Sequence, residues 1–447
     1  MNMKKLWICF TMLLVSVLSS CNNREKEFLG DTYIEGQDYQ YMFTTSDLDA
    51  NFVARGDKGY YTCIHHFILY FDPETKTATP LCNRVDCLHD KEENEELRKK
   101  CNAYVGFTWD GQENQILFYN GALYMLNPLN KDNHGELIRF SADGSGRTVV
   151  RTFEDGSISY WIIHRGYMYF ISNFYNITDE EGGVVNYTNS FFRCSINNTK
   201  EETELIYEPE KGLSEGEALT PQAYGNHIYF FQRGFTKEIK KGVNYREFLA
   251  WKTFQYDIRT KEISEIMVDD QKDNPYAYVS CGSGCISFVD DKMIFAACDV
   301  REEEIKLNYG IGTQWYMADL DGSNQKKILK TEYKYNKVYC DGNYIYEDTQ
   351  WAEEDLSLQA EEKGEKYKLD QKYYIYNKDM KLIDTMRFPF DHTVNVAVGD
   401  EKFQFWRLGD EKAGALAYTD KNQVGTFKGE YPDIIEVYRV DVPNTPD

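Results

Sequence analysis

One hairpin-like pattern returns seven times along this chain of 447 residues, and it constrains the fold more than any other feature. Each copy has a short alternating strand, a tight turn of Gly, Asn, Asp or Arg, and a second strand in which aromatic residues alternate with small or polar ones. The copies are VARGDKGYYT (from residue 53), FYNGALYML (118–126), IIHRGYMYFI (162–171), AYGNHIYFF (223–231), FVDDKMIFA (288–296), YCDGNYIYE (339–347) and VGDEKFQFW (398–406). Such a repeat predicts similar structural units placed side by side.

A further strand-like segment follows every hairpin, and most of these segments lead through a polar turn such as SADGSGR into a fourth short strand. The segments are ILYFD (68–72), ELIRFS (136–141), FFRCS (191–195), TFQYD (253–257), WYMAD (315–319), YYIYN (373–377) and EVYRVD (436–441). From Asp57 to Asp400 the hairpin turns are spaced about 57 residues apart over six intervals. We therefore expect an all-β protein, a seven-bladed β-propeller of four-stranded antiparallel blades.

The two ends of the repeat array indicate how the ring closes. Only six residues follow EVYRVD, so the last blade lacks an outer strand, while QDYQYMF (37–43) reads as a strand that precedes the first copy. We expect this N-terminal strand to complete blade seven, because strand exchange removes open sheet edges. The propeller then covers residues 37–447, and deletion of 37–43 should lower the melting temperature sharply.

The hairpin with a Gly-Asp-type turn, followed by a strand that ends in Asp-Gly or Asp-x-Asp-Gly, resembles the repeats of TolB-like and YWTD-type β-propellers. The resemblance covers about residues 46–441 and implies the fold alone. A narrower motif, LC-x4-C-x-H followed by CNAY, is similar to uncharacterised propeller lipoproteins of clostridial bacteria.

The N-terminus carries an export signal. Lys4 and Lys5 precede an apolar run, Leu6 to Leu18, that is too short to span a bilayer. The sequence LSSC that ends at Cys21 resembles the lipobox of bacterial lipoproteins. We therefore expect a signal peptide at 1–20, lipidation of Cys21, a tether at 21–36 and a location on the extracytoplasmic face of the cell membrane, with the lipid bilayer as a partner.

Charge excludes one class of partner. Of the 50 basic residues two lie in the signal segment, which leaves 48 against 73 acidic residues, a net charge of −25. Nucleic acid is therefore not expected as a ligand.

The segment LCNRVDCLHDKEENEELRKKCNAY, residues 81–104 and hereafter the Cys/His loop, lies between the predicted blades one and two. Cys82, Cys87, His89 and Cys101 are the ligand set of a structural Cys3His zinc site, and an ion could order a charged loop with few apolar residues. In an oxidising compartment the same three cysteines could instead furnish one disulfide. The sequence leaves both alternatives open.

The remaining cysteines are read more simply. Cys281 and Cys285, in CGSGC, could form a small disulfide loop. Cys63, Cys194, Cys298 and Cys340 fall within or beside strands, and we expect them to be small buried residues.

Long connections between the second and third strands of several blades predict a crown of loops on one face, at 172–190, 232–251, 299–314, 348–371 and 408–435. Aromatic residues on them either pack the loops together or form a ligand-binding surface for a polysaccharide or a surface protein. They are Tyr175, Tyr187, Phe235, Tyr245, Tyr309, Trp351 and Tyr367. No catalytic residue is identifiable. A binding or scaffolding module is the preferred hypothesis, with a carbohydrate-active enzyme on the same face as the alternative and a purely structural envelope protein as the third.

Overall fold

The computed structural model describes residues 30–34, 38, 43–44, 52–106, 115–127, 134–153, 157–178, 184–208, 221–235, 249–269, 277–280, 286–299, 313–331, 337–349, 353, 356–358, 360–361, 363–387, 394–409 and 413–441. These residues form 30 strands in seven antiparallel sheets, which confirms the seven-bladed β-propeller. Helical structure among them is confined to short turns at His89–Lys91, Glu95–Arg98 (α1) and Lys421–Gln423, to Asp269 and to residues between 353 and 361. None of the described helices is long and apolar enough to cross a membrane.

After β1 (Phe43–Thr44), the first four blades each take four consecutive strands. Blade one holds β2 (Val53–Arg55), β3 (Tyr60–Ile64), β4 (Phe67–Asp72) and β5 (Thr77–Pro80); blade two holds β6 (Leu117–Tyr119), β7 (Ala122–Asn127), β8 (Gly135–Ser141) and β9 (Arg147–Phe153); blade three holds β10 (Ser157–His164), β11 (Tyr167–Thr178), β12 (Val184–Ser195) and β13 (Glu204–Tyr207); blade four holds β14 (Gln222–Tyr224), β15 (His227–Phe235), β16 (Leu249–Asp257) and β17 (Ile263–Ile266).

The last three blades continue the order, with one irregularity in blade five, where two short strands share the first position and both pair with the next strand. Blade five holds β18 (Ala277–Ser280), β19 (Ser287–Val289), β20 (Lys292–Asp299), β21 (Gln314–Asp319) and β22 (Lys326–Lys330); blade six holds β23 (Lys337–Cys340), β24 (Ile345–Asp348), β25 (Lys372–Tyr376) and β26 (Leu382–Arg387); blade seven holds β27 (Val394–Gly399), β28 (Phe403–Gly409), β29 (Ala413–Asp420) and β30 (Ile435–Asp441).

The core is divided among the blade interfaces. Seven apolar clusters are found in the described part of the chain, and each lies between two neighbouring blades. One of them joins blades seven and one, where Phe71 packs against Phe403, Phe405 and Tyr418. The ring is therefore closed by apolar packing of the same kind that joins its other neighbouring blades.

Tight turns between the first two strands of each blade follow the predicted dipeptides. Asn120–Gly121, Arg165–Gly166 and Asp290–Asp291 have positive φ at both central residues, the conformation of the favoured two-residue hairpin. These first turns all lie at one end of the blades, and the connections between second and third strands lie at the other, because consecutive strands are antiparallel.

Closure differs from the prediction in one respect. The N-terminal strand β1 joins blade seven, as expected, but it pairs with β27 at the inner edge, with Phe43 opposite Gly399. The outer strand of blade seven is β30, because β29 supplies a third strand within the predicted loop 408–435. The sequence AGALAYTD was read as loop since it is rich in Ala and Gly and poor in the β-branched residues that mark strands.

Strands also extend into two of the predicted crown loops. In 172–190 the hairpin of β11 and β12 continues in register to Thr178 and Val184, and in 232–251 the hairpin of β15 and β16 continues to Phe235 and Leu249. These segments were read as loops because polar residues interrupt the apolar alternation. The backbone ladder nevertheless extends both hairpins past their blades.

Candidate metal centre

The Cys/His loop leaves blade one after β5 and returns to the same blade. Cys82 lies two residues beyond the end of β5. At the other end, the backbone N–H of Ile68 donates to the Ala103 carbonyl at 2.9 Å and that of Val105 to the His66 carbonyl at 2.7 Å. Both ends of the loop are thereby fixed to blade one, which brings Cys82 close to Cys101.

Between these ends the loop forms two short turns that place the other donors. His89 begins a 3-10 turn with a φ of 56°, and Asn94 caps α1 through its side-chain oxygen, which accepts from the backbone N–H groups of Glu96 and Leu97. The chain thereby reverses twice within 20 residues, so His89 faces the cysteines.

The ligand atoms of Cys82, Cys87, His89 and Cys101 all lie within 4.8 Å of one another. His89 Nδ1 lies 3.5 Å from Cys101 Sγ, which matches the edge of about 3.5 Å that a zinc tetrahedron has when Zn–S is about 2.3 Å and Zn–N about 2.0 Å. The three cysteines are free thiols. The cluster could therefore bind a metal ion such as zinc, and four protein ligands would leave no open position for catalysis.

Electrostatics favour the metal-binding form at two of the four donors. Burial opposes ionisation of Cys82, but the backbone N–H groups of Arg84 and Asn102 and the neighbouring thiols outweigh it, so the pKa of Cys82 lies below its ordinary value. Burial lowers the pKa of His89, which keeps its imidazole neutral. At Cys101 burial instead raises the pKa of the thiol, a penalty on the thiolate that a bound cation would offset.

The surroundings link this cluster to three blades. Cys101 is 3% exposed and belongs to the apolar core between blades seven and one. The Tyr438 hydroxyl, on β30, donates to Asp90 Oδ1 at 2.7 Å. On the other side, Gly144 of blade two has a φ of 73° and lies so close that a Cβ there would meet the Cys82 backbone nitrogen at 2.9 Å.

The other cysteines behave as expected where they are described. Cys63, Cys194 and Cys340 are buried free thiols within the blades. Cys298 lies in β20, but its side chain is not among the described ones. Cys281 and Cys285 lie wholly outside the described residues.

The predicted ligand-binding aromatics are only partly covered by the structure. Tyr175 and Tyr187 lie directly opposite each other on β11 and β12, and Phe235 ends β15 opposite Leu249. The side chains of these residues lie outside the described part.

Tyr367 is 39% exposed, and its hydroxyl donates to Glu353 Oε2 at 3.0 Å. Tyr245, Tyr309, Trp351 and the lipidation residue Cys21 lie outside the described residues.

The sequence analysis did not predict a buried ion pair that attaches the N-terminal segment to blade three. Asp38 and Arg165 form a bidentate ion pair, with both N–O distances 2.6 Å and both side chains 2% exposed. Arg165 also donates to Asn226 Oδ1 and to the Gly30 carbonyl. We call this contact of Asp38, Arg165 and Asn226 the N-terminal clamp. The two charged partners are 127 residues apart, so no local pattern reveals the pair. The available signal is an arginine at a hairpin turn where other copies carry Asn, Gly or Asp.

Backbone contacts complete the clamp. The Asn226 N–H donates to the Asp31 carbonyl at 3.2 Å. The neighbouring Gly225 has a φ of 58°, and a Cβ there would lie 2.0 Å from that same oxygen, so only glycine fits. His164 Nε2 contacts the Gly225 carbonyl at 2.7 Å, and burial lowers the pKa of His164 to about 4. Residues 30–34 and Asp38 are thereby held on the first turns of blades three and four.

A cavity of about 530 Å³ lies at the same end, among the first turns of blades one, six and seven. Two of its carboxylates are already paired, Glu401 with Arg55 at 2.7 Å and Asp341 with Lys421 at 2.6 Å.

No family model and no curated protein matches the sequence. A solved prolyl endopeptidase matches 91% of this chain and 51% of its own, with a TM-score of 0.50 and 9% identity, so this chain spans about half the length of that structure. An oligogalacturonate lyase in complex with manganese matches 93% and 96% (TM-score 0.44, 11% identity), and a putative TolB from Agrobacterium tumefaciens matches 62% and 78% (TM-score 0.33, 7% identity).

The first of these likenesses concerns the fold alone. Fold and cluster together define a seven-bladed β-propeller with a Cys3His cluster in the chain connection that follows its first blade.

Proposed function

We propose that the protein is a lipid-anchored β-propeller that works on the extracytoplasmic side of the cell membrane as a binding or scaffolding module for a polysaccharide or a surface-protein partner. The observation that carries this proposal is the separation of two features. The N-terminal clamp fixes the start of the chain at one end of the blades, and the longest hairpins extend from the other end.

The clamp sets where an anchor on Cys21 would lie. Arg165 and Asn226 belong to first turns of blades three and four, so residues 30–34 and Asp38 are held at the turn end. Cys21 precedes Gly30 by nine residues, and nine residues reach at most about 30 Å. A lipid on Cys21 would therefore keep this end close to the bilayer.

The opposite end would then be presented to partners. β11 and β12 have 12 residues each, compared with five and six in the corresponding β3 and β4 of blade one. A long hairpin on a rigid blade offers contact area at low entropic cost. Tyr175 and Tyr187 lie opposite each other on this hairpin, and such aromatic pairs suit stacking on a sugar ring or anchoring a protein.

The anchor is tested first. We expect the full-length protein to sediment with membranes and to carry acyl chains by mass spectrometry, and Cys21→Ser to lose both properties. A wild-type protein that is released without lipid would contradict the anchor.

The binding role is tested with the detergent-solubilised lipoprotein on a glycan array and against purified cell-surface proteins. We expect Tyr367→Ala and Trp351→Ala to weaken binding about tenfold, whereas Tyr431→Ala, at an exposed tyrosine in the loop between β29 and β30, should bind as wild type. If neither Tyr367→Ala nor Trp351→Ala weakened binding, the proposed binding surface would be wrong. Turnover of a bound glycan would support the enzyme alternative.

We also propose that Cys82, Cys87, His89 and Cys101 hold one structural zinc ion. Elemental analysis should find one zinc per chain, lost in Cys87→Ser and retained in Cys63→Ala, a control at a buried cysteine of blade one. Absence of metal together with a mass deficit of two hydrogens in the 82–101 peptide would support a disulfide instead.

A further inference from the structure

The seam between blades seven and one has no strand shared across its outer edge. Blade one takes β2 to β5, blade seven takes β27 to β30, and the outermost strands β5 and β30 lie beside each other as members of different sheets. β1 adds only two residues, and it does so at the inner edge. The outer edge of this seam therefore depends on side-chain contacts alone.

A hydrogen bond and an ion pair join blades one and seven at the inner part of the seam. The Tyr60 hydroxyl donates to Asp400 Oδ2 at 2.7 Å, and Arg55 holds Glu401 at 2.7 and 2.8 Å. Farther out, the exposed ion pair of Lys76 with Asp420 at 2.6 Å joins the turn between β4 and β5 to the end of β29. The outermost strand, β30, is reached by the hydrogen bond from Tyr438 to Asp90. Asp90 belongs to the Cys/His loop, so the loop supplies the contact to β30.

Apolar packing alone does not hold the middle of the loop in that position. There the larger apolar side chains point to solvent, with Val85 104%, Leu88 59% and Leu97 47% exposed. Apart from Ala103 and Tyr104 at the blade-one end, the loop side chains that pack against the core between blades seven and one are three of the four proposed metal ligands, Cys82, Cys87 and Cys101. The position of Asp90, next to the ligand His89, therefore depends on the cluster that gathers these donors.

We infer that the Cys/His loop is a metal-dependent latch that fastens blade seven to blade one at the outer edge of the ring. The inference rests on the proposed zinc centre and adds a role to it. Zinc joins Cys82 and Cys101, fixed to blade one, to His89, and the adjacent Asp90 then accepts the Tyr438 hydroxyl of blade seven. Release of the ion frees the middle of the loop and with it this contact.

Thermodynamic linkage makes the inference testable in the folded protein, because a contact that forms only with zinc must also strengthen zinc binding. The experiment is a competition titration of zinc against a chromophoric chelator, with the full-length wild type and Tyr438→Phe. A hydrogen bond of ordinary strength predicts zinc binding about fivefold weaker in Tyr438→Phe. The matched control is Tyr376→Phe, which loses a similar tyrosine–carboxylate bond, to Glu347 at 2.9 Å, in blade six.

Hydrogen exchange of Tyr438→Phe gives a second readout that does not need the apo protein to be stable. We expect faster exchange in β30 in the zinc-loaded variant than in zinc-loaded wild type, with the first turns of blades three and four unchanged. Equal zinc affinity and equal exchange in Tyr438→Phe and wild type would overturn the latch while leaving the zinc site in place. A wild type that binds no zinc would remove the zinc site itself.

Discussion

Two segments outside the blades are attached to this ring by different chemistry. The N-terminal clamp joins Asp38 to Arg165 through two short bonds in a site that is almost fully buried, and every group it needs is supplied by the chain. The Cys/His loop instead gathers four donors that could bind a metal ion. The clamp is therefore complete once the protein has folded, whereas the attachment of the loop, on the zinc site that we propose, depends on the metal content of the surroundings.

The largest expected effect is at the clamp. Arg165→Met leaves the Asp38 carboxylate buried without its partner, which should lower the free energy of unfolding by about 3–5 kcal/mol in a denaturant titration. The matched control is Arg259→Met, which removes an exposed pair to Asp31 and should cost less than about 1 kcal/mol. Equal losses in the two variants would show that the clamp is an ordinary surface contact.

A pH effect of similar size should come from His164 beside the clamp. Because burial lowers its pKa from 6.5 to about 4, the folded state holds the neutral form, and the unfolded state takes up a proton first as the pH falls. The folded protein is therefore most stable above pH 6.5 with respect to this group, and it loses roughly 3 kcal/mol between pH 6.5 and 4, at about 1.4 kcal/mol per pKa unit.

The variant that isolates this effect is His164→Gln. Subtracting its unfolding free energy from that of wild type at each pH removes the contribution of the other histidines. We expect the difference to fall steadily between pH 6.5 and 4 and to be flat above pH 7. A difference that does not change with pH would contradict the assignment.

Removal of zinc should have the next largest effect. A ligand present at about a hundred times its Kd stabilises the folded state by about 2.7 kcal/mol. We therefore expect wild type in a chelator to lose about this amount, and Cys87→Ser to be destabilised already and insensitive to the chelator. Arg165→Met should remain as sensitive to zinc as wild type, since clamp and loop lie on different blades. If chelation left the stability of wild type unchanged, the loop would not depend on metal.

The smallest effect is expected at the inner part of the seam. Tyr60→Phe removes the bond to Asp400, which Arg55 also contacts at 3.3 Å, and should cost about 1 kcal/mol. Because this bond does not involve the Cys/His loop, the cost should be the same with and without zinc. A cost that vanishes in the chelator would mean that the whole seam, and not only its outer edge, requires the metal.

The sequence predicted those parts of the fold that are encoded locally. A tight turn such as Asn120–Gly121 is specified by its own two residues, and its recurrence is enough to identify seven blades. The Cys/His cluster was visible for the same reason, since all four donors lie within 20 residues of chain. β29 was missed because its small residues form a strand only through pairing with β28 and β30.

Contacts between distant residues could not be predicted. The edge at which β1 pairs depends on register with β27, some 350 residues away, and an alternating pattern does not specify a partner. The Asp38–Arg165 pair and the contact between Asp90 and Tyr438 likewise exist only once the ring has closed.

Hydrogen exchange of the full-length protein, with zinc bound and after chelation, tests the contrast between the two attachments most directly. We expect chelation to accelerate exchange in the Cys/His loop and in β30, with protection of the first turns of blades three and four unchanged. Equal acceleration at both attachments, or none at either, would contradict the account.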